Sequence, residues 1–324
     1  MMDTMDYSHT DILLESGTNE LEIMEFTIAN EVFGINVAKV REIMKFAPLK
    51  PMQNAHFAIG GIFKPREDVI TVVDLAKYLG LEPSGYLERD IFMITEFNSQ
   101  VVGFHVHTVV GIDRISWTSI RKPDNIIYGG AEGVATGIAE FDDRLITILD
   151  FEKIIAEIAP QTGIQVSDIE KLGRRKRSDV PILIAEDSML LSKMIVESLN
   201  KAGYVNIIKT DNGQEAYEFL EEAKCEGDLL SHCACLISDI EMPQMDGHHL
   251  TKMVKDDPVL KRLPVILFSS LINEEMRLKG QEVGADAQIS KPEIASLVHL
   301  LDTFTTPDWQ STNNANPPSQ AAAR

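Results

Sequence analysis

At 324 residues and 44% hydrophobic composition, the chain has material for about two domains, each with its own core. A formal net charge of −20 argues against sequence-independent binding of nucleic acid, where Lys and Arg must neutralise phosphates, and favours protein partners. No apolar stretch reaches membrane-spanning length and Met1 to Asp6 are acidic where a signal peptide is basic, so a cytoplasmic protein without membrane insertion is expected.

Residues 1–20 read as an N-terminal tail. From 21 to 165 the signals are short β-type runs broken by Gly, Pro and Asn: Leu21 to Ala29, Val32 to Asn36, Val69 to Val73, Ile91 to Glu96, Val101 to Val110 and Leu145 to Leu149. Val37 to Met44, Ala55 to Ile59, Asp74 to Leu79 and Phe151 to Glu157 are expected to be helical. A mostly β domain of small barrels results. His105 and His107 share a strand face, but no carboxylate or third His lies near them in sequence to complete a metal site. Nucleophile-base pairs, phosphate loops and a Gly-x-Ser-x-Gly elbow are absent from this half.

Residues 166–179, with the basic run Arg174 to Arg177, read as a solvated linker. From 180 to 304 strand and amphipathic helix alternate. Strands are expected at Pro181 to Ala185, Val205 to Lys209, Cys235 to Asp239, Val265 to Phe268 and Ala287 to Ser290. Helices are expected at Met189 to Lys201, Gly213 to Ala223, His249 to Val254, Asn273 to Val283 and Pro292 to Phe304. Five such units imply a parallel sheet covered by helices on both faces. The polar stretch 305–324 lacks the apolar content to order itself. Cys225, Cys233 and Cys235 lack zinc-finger spacing and read as buried free thiols. His248 and His249 point in different directions on a helix and read as surface and boundary residues.

Sites in open parallel sheets form at the carboxyl ends of strands, and the polar residues of this half collect there. Glu186 and Asp187 follow the first strand, Asp239 ends the third, Ser269 and Ser270 the fourth, and Lys291 the fifth. Carboxylates so grouped need a cation, and Mg²⁺ with oxygen ligands is the economical choice. Asp187 and Asp239 would be direct ligands, the backbone carbonyl of Glu241 a third, and Glu186 would hold a water. Asp239 is then a nucleophile for a phosphoryl group, with Lys291 and Ser269 meeting the charge on its oxygens.

Ala185-Glu186-Asp187-Ser188, Ser238 to Pro243, Met245-Asp246-Gly247, Phe268-Ser269-Ser270 and Ser290-Lys291-Pro292 resemble the receiver domain of two-component response regulators. The resemblance implies a flavodoxin-like α/β fold, an arrangement whose general example is the receiver CheY. It also implies Mg²⁺-dependent transfer from a phosphohistidine of a sensor kinase to Asp239. One departure is Gln288, where receivers often carry an aromatic residue. Ser270 stands where a small Ala is common, and Glu241, two after the acceptor, could influence access of hydrolytic water.

In the first half, Glu22 to Ile28, Phe33 to Val37, Lys39 to Ile43, Gly60 to Phe63, Val72 to Leu75 and Leu145 to Asp150 resemble the CheW adaptor, a pair of small β-barrels. The resemblance implies that this half joins chemoreceptors, the methyl-accepting chemotaxis proteins, to the histidine kinase CheA. By it, Glu42 and Arg66 are assigned to partner surfaces. The Asn-Leu-Arg-Gly turn of that family reads Lys64-Pro65-Arg66-Glu67 here.

The two halves together resemble the CheV coupling proteins, which implies an adaptor associated with receptor arrays at the inner membrane and adjusted by phosphorylation for adaptation. It is not an enzyme beyond accepting its own phosphoryl group. Competing readings are a phosphate sink for CheA, a response regulator whose front half is an enzyme, and a transcription regulator. The last would need a basic DNA-binding module, and only a short polar tail follows the receiver.

Overall fold

The computed structural model describes residues 19–97, 100–121, 133–141, 144–160, 164, 167–173, 175–270 and 274–306. The front half runs β1 (Glu20–Ile28), β2 (Glu31–Asn36), a 3-10 turn at Val37–Lys39, β3 (Val40–Lys45), β4 (Ile59–Phe63), β5 (Ile70–Asp74) and α1 (Leu75–Leu79). It continues through β6 (Ile91–Phe97), β7 (Gln100–Val106), β8 (Thr108–Ser116), β9 (Ile120–Arg121), β10 (Ala135–Phe141), β11 (Arg144–Leu149) and α2 (Phe151–Ile158). The strands form two sheets, ordered β8-β1-β2-β11-β10-β9 and β3-β6-β7-β5-β4. Each sheet has one parallel pair, β2 with β11 and β5 with β7, among otherwise antiparallel neighbours. Phe26, Phe33, Val73, Phe104 and Phe151 share one buried cluster drawn from both sheets and α2. The Phe151 ring meets Phe104 edge-on at 4.7 Å between centroids, which fixes the start of α2.

Three local expectations change. Val37 to Met44 is a 3-10 turn followed by a strand, because β3 finds a partner in β6 along Val40 to Lys45. Ala55 to Ile59 is not helical; Ile59 pairs with Val73 instead. Val101 to Val110 is two strands, since His107 leaves one sheet for the other: its amide donates to the Thr27 carbonyl and its Nδ1 accepts from the Ala29 amide.

The second half runs α3 (Ser167–Glu170), β12 (Ile182–Ala185), α4 (Met189–Lys201), β13 (Ile207–Thr210), α5 (Gly213–Glu226), α6 (Leu229–His232) and β14 (Cys235–Ser238). Then come α7 (Gly247–Asp256), β15 (Val265–Ser269), α8 (Glu274–Glu282), β16 (Ala287–Ser290) and α9 (Ile294–Phe304). All strand pairs are parallel, in the order β13-β12-β14-β15-β16. Alternation along the strands divides the core. Ile182, Ile184, Ile237 and Phe268 pack with α4 and α9, while Leu183, Ala185 and Leu236 pack with α5 and α7. This is the flavodoxin-like arrangement, following a mostly β front half.

The segment read as a solvated linker is docked. Ile169 on α3 is buried in the same cluster as α4 and α9, Arg175 pairs with Asp302, and Ser178 bridges in parallel to Tyr204. Its apolar residues had been outweighed in the sequence by its charge. Cys233 and Cys235 are buried free thiols but Cys225 is exposed. His248 is buried rather than superficial, and burial drives its imidazole down to about 4. Of the expected tails at 1–20 and 305–324, residues 1–18 and 307–324 lie outside the described residues, while Glu20 already belongs to β1.

Candidate functional site

Parallel register brings the ends of β12, β14, β15 and β16 to one edge of the sheet, and with them Glu186, Asp187, Asp239, Ser269 and Lys291. Two caps hold the flanking turns. Ser188 Oγ accepts from the Leu191 amide at the start of α4, and the Asp246 carboxylate accepts from the His249 amide at the start of α7. Gly247 passes so close to β14 that a Cβ there would lie 2.0 Å from the Asp239 carbonyl oxygen, so only glycine lets α7 begin beside the strand end.

Lys291 Nζ lies 2.8 Å from Asp239 Oδ2 and 3.1 Å from Glu186 Oε2. All three side chains are almost fully buried. The other Asp239 oxygen accepts from the Ile240 amide at 2.6 Å. Burial opposes the Lys291 charge, but Asp239, Glu152 and Glu186 outweigh it and raise its pKa well above the ordinary value. Burial pushes the Glu186 carboxyl well up, although Lys291 pulls the other way. Glu186, Asp187 and Asp239 each offer an oxygen within 4.8 Å of the others. Three hard oxygen donors this close suit a divalent cation such as Mg²⁺ and repel one another without one. Ser269 is fully buried at the end of β15, where its carbonyl accepts from the Lys291 amide.

The front half completes this site. Asp150 caps α2 by accepting from the Lys153 amide, which sends Glu152, in the first turn, into the cleft. Glu152 Oε1 accepts from Ser270 Oγ, and Oε2 lies 3.5 Å from Lys291 Nζ. Lys39 Nζ is 3.3 Å from Glu152 and 2.5 Å from Glu241 Oε2, while Asn36 donates to Glu241 Oε1 at 2.7 Å. Burial works against the Glu152 charge, but Lys291 and then Lys39 outweigh it and hold the carboxyl down at about 2. Lys39 is likewise burdened by burial, and Glu241 and Glu152 raise its pKa above the ordinary value. Beside them, burial and then Glu152 lift the Asp150 carboxyl to about 6. A second contact lies at the β14–α7 loop: the Gln244 amide donates to the Trp117 carbonyl at 3.0 Å, and Asn19 bridges Gln244 and Asp246.

Sequence reading missed Lys39, Asn36 and Glu152. Each lies in an ordinary turn or helix start, and only tertiary docking gives it a role. Glu42 and Arg66, the expected partner-surface pair, do not line the cleft and join each other at 3.2 Å on the surface. Gln288 donates to the Arg277 carbonyl at 2.9 Å and packs on Gly280, where a Cβ would strike its amide. His105 pairs with Asp90 at 2.7 Å, a carboxylate that sequence distance had hidden. Among the described residues, Glu186, Asp187 and Asp239 alone form a cluster of metal-ligating type.

The CheW-like domain family matches residues 22–159, and the response regulator receiver domain family matches residues 182–302. Chemotaxis protein CheV3 of Helicobacter pylori is 30% identical over 289 residues, covering 84% of this chain and 91% of that protein. Chemotaxis protein CheV1 of the same organism is 25% identical over 307 residues, covering 88% and 94%. Among solved structures, the scaffolding protein TtCheW from Thermoanaerobacter tengcongensis is 27% identical and covers 40% of this chain and 88% of that one, with a TM-score of 0.36.

Proposed function

Because the chain belongs to the CheV family, chemotaxis coupling adaptors that join a CheW-like domain to a receiver domain, we propose that it links chemoreceptors to the histidine kinase CheA and that phosphorylation of Asp239 adjusts this link. The observation that carries the reading is the buried Lys291 against Asp239, at the edge of a three-carboxylate cluster. A carboxylate paired with a fixed cation at a strand end is built to take a phosphoryl group and to meet its charge.

In the transfer, an Asp239 oxygen attacks the phosphorus of a phosphohistidine. The new O–P bond forms as the P–N bond breaks, and the departing imidazole nitrogen keeps the electron pair and is protonated from solvent. Lys291 would neutralise the phosphoryl oxygens, and Ser269 would donate its hydroxyl to them. Asp187, Asp239, the Glu241 carbonyl and, through water, Glu186 would hold Mg²⁺, which when bound supplies charge neutralisation at the same oxygens. The front half supplies the docking surfaces, with Glu42 and Arg66 at their rim, and the site of action is the receptor array at the inner membrane. Among the described residues no helix is long and apolar enough to cross a membrane.

The test is phosphoryl transfer from ³²P-labelled phospho-CheA with Mg²⁺ to the full chain and to Asp239→Asn. Label on the wild type alone is the expected result. Equal label on both proteins would overturn the acceptor assignment.

A further inference from the structure

The receiver pocket holds a carboxylate that does not belong to the receiver. Glu152 reaches across from α2, takes the hydrogen bond of Ser270 and stands 3.5 Å from Lys291, which is also the partner of Asp239. Its own half anchors it there, since Lys39 ties it to Glu241, two residues beyond Asp239. A phosphoryl group on Asp239 would bring about two negative charges and three acceptor oxygens to the same cation. Lys291 is nearly fully buried, so the two anions would meet without water to screen them.

From this we infer that Glu152 occupies the ground of the phosphoryl group, so that docking of the CheW-like domain on the receiver and phosphorylation of Asp239 exclude each other. The inference rests on Asp239 being the acceptor. It makes Glu152 a residue that sets how fast the receiver can be loaded, and it makes loading the event that frees the front half. The freed surface includes Lys39, which leads directly into β3 and so to Glu42. Charge at the acceptor is thereby tied to exposure of the adaptor, with no further mechanism needed between the two halves.

Two readouts test it on the full chain. The first is the rate of labelling by phosphoramidate with Mg²⁺, in which an Asp239 oxygen bonds to phosphorus as the P–N bond breaks and ammonia leaves. The second needs neither metal nor donor: hydrogen exchange at the amides of Gln244 and Asp246, which donate across the interface to Trp117 and Asn19. Glu152→Gln keeps the volume and removes the charge. Loss of one charge-assisted hydrogen bond changes an equilibrium by about one to two orders of magnitude, so labelling should quicken by about tenfold and both amides should exchange faster by a similar factor. Lys39→Met, which cuts the tie between Glu152 and Glu241, should act in the same direction. Together the variants keep the test usable if one of them folds poorly by circular dichroism. Wild-type protein loaded with phosphate should show the same increase in exchange.

Labelling at the wild-type rate in both variants, with unchanged exchange at Gln244 and Asp246, would overturn the competition while leaving Asp239 as acceptor. Absence of label on every protein, or equal label on Asp239→Asn, would overturn the acceptor assignment and the competition with it.

Discussion

Asp187→Asn offers a quantitative probe of the carboxylate cluster, because it removes one negative charge and little volume. The Asp187, Glu186 and Asp239 oxygens lie within 4.8 Å of one another. At that separation two unit charges repel by about 3.5 kcal/mol at an effective dielectric constant of about 20. Lys291 at 2.8 Å from Asp239 offsets part of the repulsion, and Asp187 is only half-buried, so relief on substitution should be smaller. We expect the variant to be more stable than the wild type by about 1–2 kcal/mol in chelator. Mg²⁺ should reverse the order. Ligand at about 100 times its Kd stabilises the state that binds it by about 2.7 kcal/mol, a gain available to the wild type and largely lost to the variant. Urea unfolding followed by circular dichroism, in EDTA and in Mg²⁺, measures both effects. A variant that is weaker than wild type in EDTA, or that gains as much from Mg²⁺, would refute the idea that these carboxylates repel until a cation joins them.

Asp246 gives a pH test. Burial raises its carboxyl from 3.8 to about 6, so the folded chain holds this proton to higher pH than the unfolded chain. The stability it contributes is therefore full below about pH 4 and is lost as pH rises through about 6, a change of order 2–3 kcal/mol. Asp246→Asn keeps an N-cap acceptor without a titrating group, so the difference between wild type and variant in urea midpoint should shrink or reverse between pH 4.5 and 7.5; parallel profiles would be inconsistent with this. Arg66→Glu tests the adaptor rim: the pair with Glu42 is exposed and worth less than about 1 kcal/mol, so stability should stay level while co-sedimentation with receptor and kinase falls. Unimpaired co-sedimentation would remove Arg66 from the partner surface.

The carboxylate site was legible because its signal is local. Asp239, Glu186 and Lys291 each stand at the end of an apolar run, and parallel register alone carries those ends to one edge. Where a run changes partners, periodicity says nothing. Val101 to Val110 reads as one strand, yet the chain turns at His107 because β7 belongs with β5 and β6 whereas β8 belongs with β1. Val37, Val40, Ile43 and Met44 have helical spacing as well as strand composition, and the backbone partner offered by β6 decides between them. Glu152 was illegible for a different reason. An acidic residue in the first turn of a helix is favourable in any context, so its sequence position is fully explained without the receiver it enters.

The composition of the interface bears on how readily it can be switched. An apolar interface separates only at the cost of exposing its whole area to water, and a phosphoryl group placed nearby changes that cost little. The contact centred on Lys39, Glu152, Glu241 and Lys291 is ionic and mostly buried. Desolvation roughly cancels the attraction in such clusters, so the net hold is modest, while removal of one partner's compensation costs about 3–5 kcal/mol. A weak net hold with a steep response to one added charge is what a phosphorylation-driven separation requires. Another contact between the halves, from Asn19 and Trp117 to the β14–α7 loop, is made of hydrogen bonds that water can replace on opening, while Trp117, Leu149 and Leu191 add apolar lining to the cleft. The ionic part of the contact is thus set by charge, and with Asp239 as the proposed acceptor, phosphorylation would add its charge beside Lys291, which lies 2.8 Å from Asp239 at the centre of that contact.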